Sequence, residues 1–151
     1  YCKFYYTCKQ KMEKLSYYII FILLLSCASE EGVKLKSNNH NIKKEYYDNG
    51  SLMYEASYKY NKLDGISKTW NENGNLISKV EYKNGMINGA WETYYISGQI
   101  KNITSYLSGK KHGKEIWYHS NGQKQSEIYY INDEIDSSVM RWDENGKEII
   151  N

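Results

Sequence analysis

The chain has no proline, only two phenylalanines and three cysteines, and no large excess of either charge. Each scarcity excludes something. Cys2 and Cys8 lie ahead of Met12, which opens a good start, so residues 1–11 are expected to be an over-extended reading frame. The mature chain then keeps Cys27 alone, and no disulfide can form. The formal net charge is +2, and four lysines but a single glutamate fall within residues 1–27. The remainder carries 16 basic against 17 acidic side chains, interspersed and without a basic tract. That balance argues against binding driven by phosphate neutralisation, and no nucleic-acid partner is expected. The three histidines, His40, His112 and His119, are scattered without ligand spacing, which argues against a metal or other cofactor.

Tyrosine and glycine stand out against these absences. Seventeen of 151 residues are tyrosine, and aromatics make up 15% of the chain. A mean hydropathy of −0.78 would suit a disordered chain, but the aromatic content argues for fixed structure. Large rings on a polar background suit strands better than helices.

Glycine recurs at Gly50, Gly74, Gly98, Gly122 and Gly146, a period of 24 residues. Four residues before each stands an aromatic: Tyr46, Trp70, Tyr94, Tyr118 and Trp142. Eight residues after the first four stands a tyrosine: Tyr58, Tyr82, Tyr106 and Tyr130. Three registers keeping one period define an array, and arrays bind more often than they catalyse.

Asn-Gly at 49–50, 73–74, 121–122 and 145–146, with Ser97-Gly98 in the third copy, predicts hairpin turns in which both residues take positive φ. A second turn is expected over Gly85–Gly89 and Gly109–Gly113, with Asn61–Gly65 and Asp133–Ser137 as degenerate versions. Alternation then puts Leu52, Tyr54, Ala56 and Tyr58 on one face, and likewise Leu76, Ser78, Val80 and Tyr82. Ile66, Lys68 and Trp70 share a face on the other type of strand, as do Lys114, Ile116 and Tyr118. The expected fold is all-β: an elongated single-layer antiparallel sheet of successive hairpins, preceded by an N-terminal signal segment. Nine strands at about 4.8 Å each make a ribbon of roughly 40 Å.

The pattern Tyr/Trp-x-x-Asn-Gly, followed by Tyr-x-x-Gly-x-x-x-Gly, resembles the MORN repeat in the variant form of the YwqK-type antitoxin family. The resemblance covers residues 45–151, as four full copies and a partial fifth. It implies a sheet of hairpins, a role in binding protein or membrane, and an antitoxin association. The fourth copy departs from the pattern, with Asp133 and Ser137 in place of the turn glycines, and suits a capping unit.

Residues 12–27, MEKLSYYIIFILLLSC, read as a signal segment. The apolar run from Leu15 to Leu25 is short for a membrane span of about 20 residues and suits a signal h-region. A buried core helix and a plain membrane anchor are the alternatives. Leu24-Leu25-Ser26-Cys27 resembles a bacterial lipobox, which implies lipidation of Cys27 and an outer-membrane lipoprotein, periplasmic or surface-exposed. Residues 28–44 read as a flexible tether, whose Glu30-Glu31 pair resembles the export signal of surface lipoproteins in Bacteroidota.

Gly109–Lys114 lacks the Gly-Lys-Ser/Thr ending of a phosphate loop. No nucleophile and base group together, and a single-layer sheet has no deep cleft to desolvate them, so the protein is not expected to be an enzyme. Trp91, Tyr95, Trp117 and His119, near Ile103 and Tyr129, are expected on the face opposite the periodic columns. They do not repeat at 24, which marks them as a contact patch for another protein, with a cognate toxin as the candidate partner. The bland reading is that they cover a thin sheet or pack on the tether. The competing function is a structural or adhesive surface lipoprotein that binds glycan, lipid or envelope assemblies.

Overall fold

A computed structural model describes residues 39–136 and 138–150. The signal segment, Cys27 and the first part of the tether lie outside the described residues. Eight strands follow one another as hairpins: β1 His40–Tyr46, β2 Leu52–Lys59, β3 Lys62–Trp70, β4 Leu76–Lys83, β5 Met86–Tyr94, β6 Ile100–Leu107, β7 Lys110–Tyr118 and β8 Lys124–Ile131. Two short strands, β9 Glu134–Ile135 and β10 Met140–Arg141, both pair with β8. All pairings are antiparallel, and the sheet runs β1 to β8 in chain order before ending on β10. The elongated all-β reading holds. Strand β1 begins at His40, so the array starts several residues before Glu45, within the segment expected to be tether.

Two turn types alternate along the ribbon. At the periodic glycines, Gly50 N–H donates to the Tyr47 carbonyl while Tyr47 N–H donates to Ser51, and the same pair recurs at Asn71, Tyr95, His119 and Asp143. Only the glycine takes positive φ there, +79 to +86°. This is a type I turn closed by a left-handed glycine, not the two-residue turn expected at these Asn-Gly sites. The two-residue turns with both φ positive stand on the opposite rim, at Tyr60-Asn61, Asn84-Gly85, Ser108-Gly109 and Asn132-Asp133. Gly89 and Gly113, expected in turns, instead sit inside strands β5 and β7.

The reason is a register irregularity. Val80 faces Trp91 and Tyr82 faces Ile87, so the backbone bulges around Gly89. Gly89 has φ +130°, and a Cβ there would lie 2.9 Å from Glu81 Cβ. Only glycine fits such a backbone without strain.

A second irregularity flips an expected face. Across from Tyr46, Trp70, Tyr94 and Tyr118 stand Leu52, Leu76, Ile100 and Lys124, each reached by skipping one residue of the partner strand. Lys124 reports the outcome: its Nζ lies 5.5 Å from the Trp142 ring centre and bonds Glu127 at 2.6 Å. Leu52 and Leu76 therefore belong with the Trp70 column rather than with Tyr54 and Ser78.

The two aromatic columns consequently lie on opposite faces. One face, here the tyrosine face, carries Tyr58, Tyr82, Tyr106 and Tyr130. Its central row runs strand to strand as Ala56, Ser67, Val80, Trp91, Thr104, Glu115 and Ile128. The other, the ion-pair face, carries Trp70, Tyr94, Tyr118 and Trp142 with the pairs Lys44–Glu55, Lys79–Glu92 and Lys114–Glu127. Among the described residues seven are buried, and six of them (Ala56, Ser67, Val80, Asn102, Thr104 and Glu115) stand on the tyrosine face. Among the described residues no large side chain is fully buried. A sheet this thin depends on its ladder hydrogen bonds and half-covered rings, with each added 100 Å² of apolar cover contributing about 2.5 kcal/mol.

Candidate functional site

Strand β6 carries the least regular part of the tyrosine face. Its Asn102 pairs with Trp117 on β7 and Thr93 on β5, and its Thr104 pairs with Trp91 on β5 and Glu115 on β7. Thr104 Oγ1 donates to Asn102 Oδ1 (3.0 Å) or to Glu115 Oε1 (3.2 Å). Asn102 Nδ2 donates to the Ile116 carbonyl (3.1 Å). Lys111 Nζ bonds Glu115 Oε1 (2.9 Å) and lies 4.7 Å from the Tyr130 ring centre. Thr104 replaces Ala56, Val80 and Ile128 of the other copies, and Glu115 replaces Ser67. A buried carboxylate is tolerated here because it is paired with the Lys111 ammonium and within reach of the Thr104 hydroxyl.

Electrostatics follow from this closeness. Burial works against the charge on Lys111, but the hydrogen bond and charge of Glu115 outweigh it and raise the ammonium above its ordinary value. Burial, then the bond to Glu115, raises the Tyr130 phenol. On the ion-pair face, burial and the adjacent Glu92 carboxylate push Tyr94 up to about 12. Burial opposes ionisation of Glu92, yet hydrogen bonds from Tyr94 and Lys79 hold its carboxyl below the usual range.

Trp91 and Trp117 flank β6 on either side of this cluster. Trp91 is 36% exposed, donates Nε1–H to Ser78 Oγ (3.0 Å) and stands 6.0 Å from the Tyr106 ring. The two tryptophans thus share a face with the tyrosine column, not the face opposite it. Since the periodic columns occupy both faces, no face is free of them.

The other members of the expected patch separate. Ile103, between Glu92 and Ile116, and Tyr129, beside Lys114, stand on the ion-pair face. Tyr95 and His119 begin glycine turns and do obey the period, in role rather than in residue type. Tyr95 Oη donates to the Tyr118 carbonyl (2.7 Å), as Tyr47 does to Trp70 (2.9 Å), and His119 Nε2 lies 2.9 Å from the Trp142 carbonyl. Each ties one repeat to the next. The sequence signal was the shared position, one residue after each columnar aromatic.

Among the described residues there is no group of three or more His, Cys, Asp or Glu placed to hold a metal. A cleft of about 450 Å³ lies at the first glycine turn, lined by Tyr46, Tyr47, Asp48, Asn49, Met53 and Glu72. It is on the opposite rim from the Lys111 cluster. No helix among the described residues is long and apolar enough to cross a membrane.

The family model for the MORN repeat variant matches residues 39–60, 63–84 and 111–132. These spans begin at one 24-residue step and then two, in register with the glycine turns. The chain carries MORN repeats of the variant form over these three spans. Trp91, Asn102 and Thr104 lie between the second and third matched spans, while Lys111, Glu115 and Trp117 lie within the third. MORN repeats are consistent with a non-enzymatic repeat module. No curated protein matches the chain.

Proposed function

We propose that this MORN array is a non-enzymatic protein-binding module of the bacterial envelope, anchored by lipid at Cys27 and of the antitoxin or immunity type. The observation that carries the binding reading is the pair Trp91 and Trp117. Both break the 24-residue pattern, both stand on one sheet face around a hydrogen-bonded polar cluster, and tryptophan anchors interfaces more than most residues do. The anchor rests on the sequence Leu24-Leu25-Ser26-Cys27, and the immunity type on resemblance to the antitoxin family.

The test uses the residues that other copies hold at the same positions: Ser67 for Trp91, and Thr69 or Thr93 for Trp117. A Trp91→Ser, Trp117→Thr variant should keep its β-sheet circular dichroism. Crosslinking from native membranes should yield one partner in near equal amount with the wild type, and at least tenfold less with the variant. Recovery unchanged by the substitutions would remove the tryptophans from the interface. A glycan-binding surface module is the second reading, because aromatic planes beside Asn102 and Thr104 also suit sugar rings and hydroxyls. In that case a glycan array, and no protein, would separate wild type from variant.

A further inference from the structure

Of 13 lysines among the described residues, six (Lys43, Lys44, Lys79, Lys111, Lys114 and Lys124) form ion pairs, all on the sheet faces, and seven form none. Four of those seven, Lys59, Lys62, Lys83 and Lys110, are exposed together at the first three two-residue turns of one rim, while Lys68, Lys101 and Lys147 lie apart from it. Lys59 and Lys62 even stand directly opposite each other across their hairpin. Like charges so placed weaken a hairpin, so folding does not account for them. Exposed apolar side chains lie between the lysines: Tyr60 is 62% exposed, Met86 50% and Leu107 49%. Successive turns on this rim are two strands apart, roughly 10 Å.

We propose that this rim binds an acidic, partly apolar polypeptide segment. The charges are complementary, and Tyr60, Met86 and Leu107 offer contact area between them. The fourth turn of the same rim decides between a short segment and a broad anionic surface. It carries Asp133, Glu134 and Asp136, all exposed, so a membrane plane or a long nucleic acid laid along the rim would meet like charge at its end. A segment seated on the first three turns, spanning roughly 20 Å, avoids that repulsion. This inference deepens the protein-binding reading by naming the partner's chemistry, but it uses a surface separate from Trp91 and Trp117.

The experiment measures fluorescence anisotropy of a labelled 12-residue Glu/Leu peptide with the purified full-length protein. Three proteins are compared: wild type, Lys59→Glu/Lys83→Glu/Lys110→Glu, and the control Lys68→Glu/Lys101→Glu/Lys147→Glu. The control changes net charge equally, using lysines that also lack ion pairs but lie off the rim. The rim variant should bind at least tenfold more weakly than wild type and the control within about twofold. Raising salt from 50 to 300 mM should weaken wild-type binding severalfold, since exposed charges are screened. Equal losses in both variants would reduce the effect to bulk charge and overturn the proposal. So would absence of peptide binding, or rim-dependent binding to phosphatidylglycerol vesicles or duplex DNA in preference to the peptide. Native capture with Trp91→Ser, Trp117→Thr proceeds separately, so loss of the rim site leaves the protein-binding reading standing, and the reverse.

Discussion

The two rims of the sheet solve the same problem, turning the chain, with opposite use of side chains. On the glycine rim the side chains are consumed in joining repeats. Tyr47, Tyr95 and His119 reach carbonyls 23 residues on, while Asn49 and Asn121 donate to the carbonyls of Glu72 and Glu144. On the lysine rim the joining is done by short acceptors just inside the strands: Asp64 and Asn88 each accept an N–H from 20 residues on. The lysines beside the first three tips, Lys59, Lys62, Lys83 and Lys110, form no ion pair. His112 holds the equivalent position in the third copy, and its buried Nδ1 has no partner. A rim whose polar atoms are already used is structural; a rim whose charges are unspent is available to a partner.

The strongest way to break this comparison is at the glycines. Gly89→Ala meets both a positive φ and the Glu81 side chain, so a loss of about 3 kcal/mol is expected. Gly74→Ala on the glycine rim has positive φ but nothing within 4 Å, and should cost about 1 kcal/mol. Urea unfolding of the two proteins measures the difference. Equal losses would mean the bulge is no tighter than the turn.

Next in size is the cluster beneath the tryptophans. Glu115→Ala leaves Lys111 without its acceptor and Thr104 with Asn102 alone, and should destabilise by about 2 kcal/mol. The same melt after Thr104→Val, which restores the apolar residue of the second copy, should show a smaller loss. A smaller effect still belongs to the glycine rim. Tyr95→Phe removes one bond to the Tyr118 carbonyl and should cost about 1 kcal/mol. Replacing Lys62 by Gln on the lysine rim should leave stability unchanged or slightly raised.

Acid separates the faces. Lys114 and Lys124 hold the Glu127 carboxyl below its ordinary range, and Glu92 is also lowered. A depressed carboxylate stabilises the fold above its unfolded pKa of about 4.3, and that contribution is lost as pH falls through the folded value. Stability should therefore drop below about pH 4.5. Glu127→Gln should flatten that drop while lowering stability at pH 7.

Much of this fold was legible because glycine and aromatic spacing carries the repeat directly. The faces were less so. Met53, Ile77, Lys101 and Gln125 are the residues skipped in each register irregularity, and nothing in their types marks them. Period-two alternation run through them assigned Leu52 and Leu76 to the wrong side. The same Asn-Gly dipeptide makes two different turns at 73–74 and 84–85, because loop length and the hydrogen bonds of Asn71 decide the type. Trp91 and Trp117 were identifiable as irregular, but Tyr95 and His119 were joined to them by residue type when position sets their role.

The most direct measurement is oxidative footprinting of the protein in its native membranes, compared with the purified protein. The account predicts several-fold protection of Trp91 and Trp117 in the membrane sample, with Tyr47 and Tyr95 on the glycine rim equally reactive in both. Protection confined to the glycine rim, or none on the tyrosine face, would contradict it.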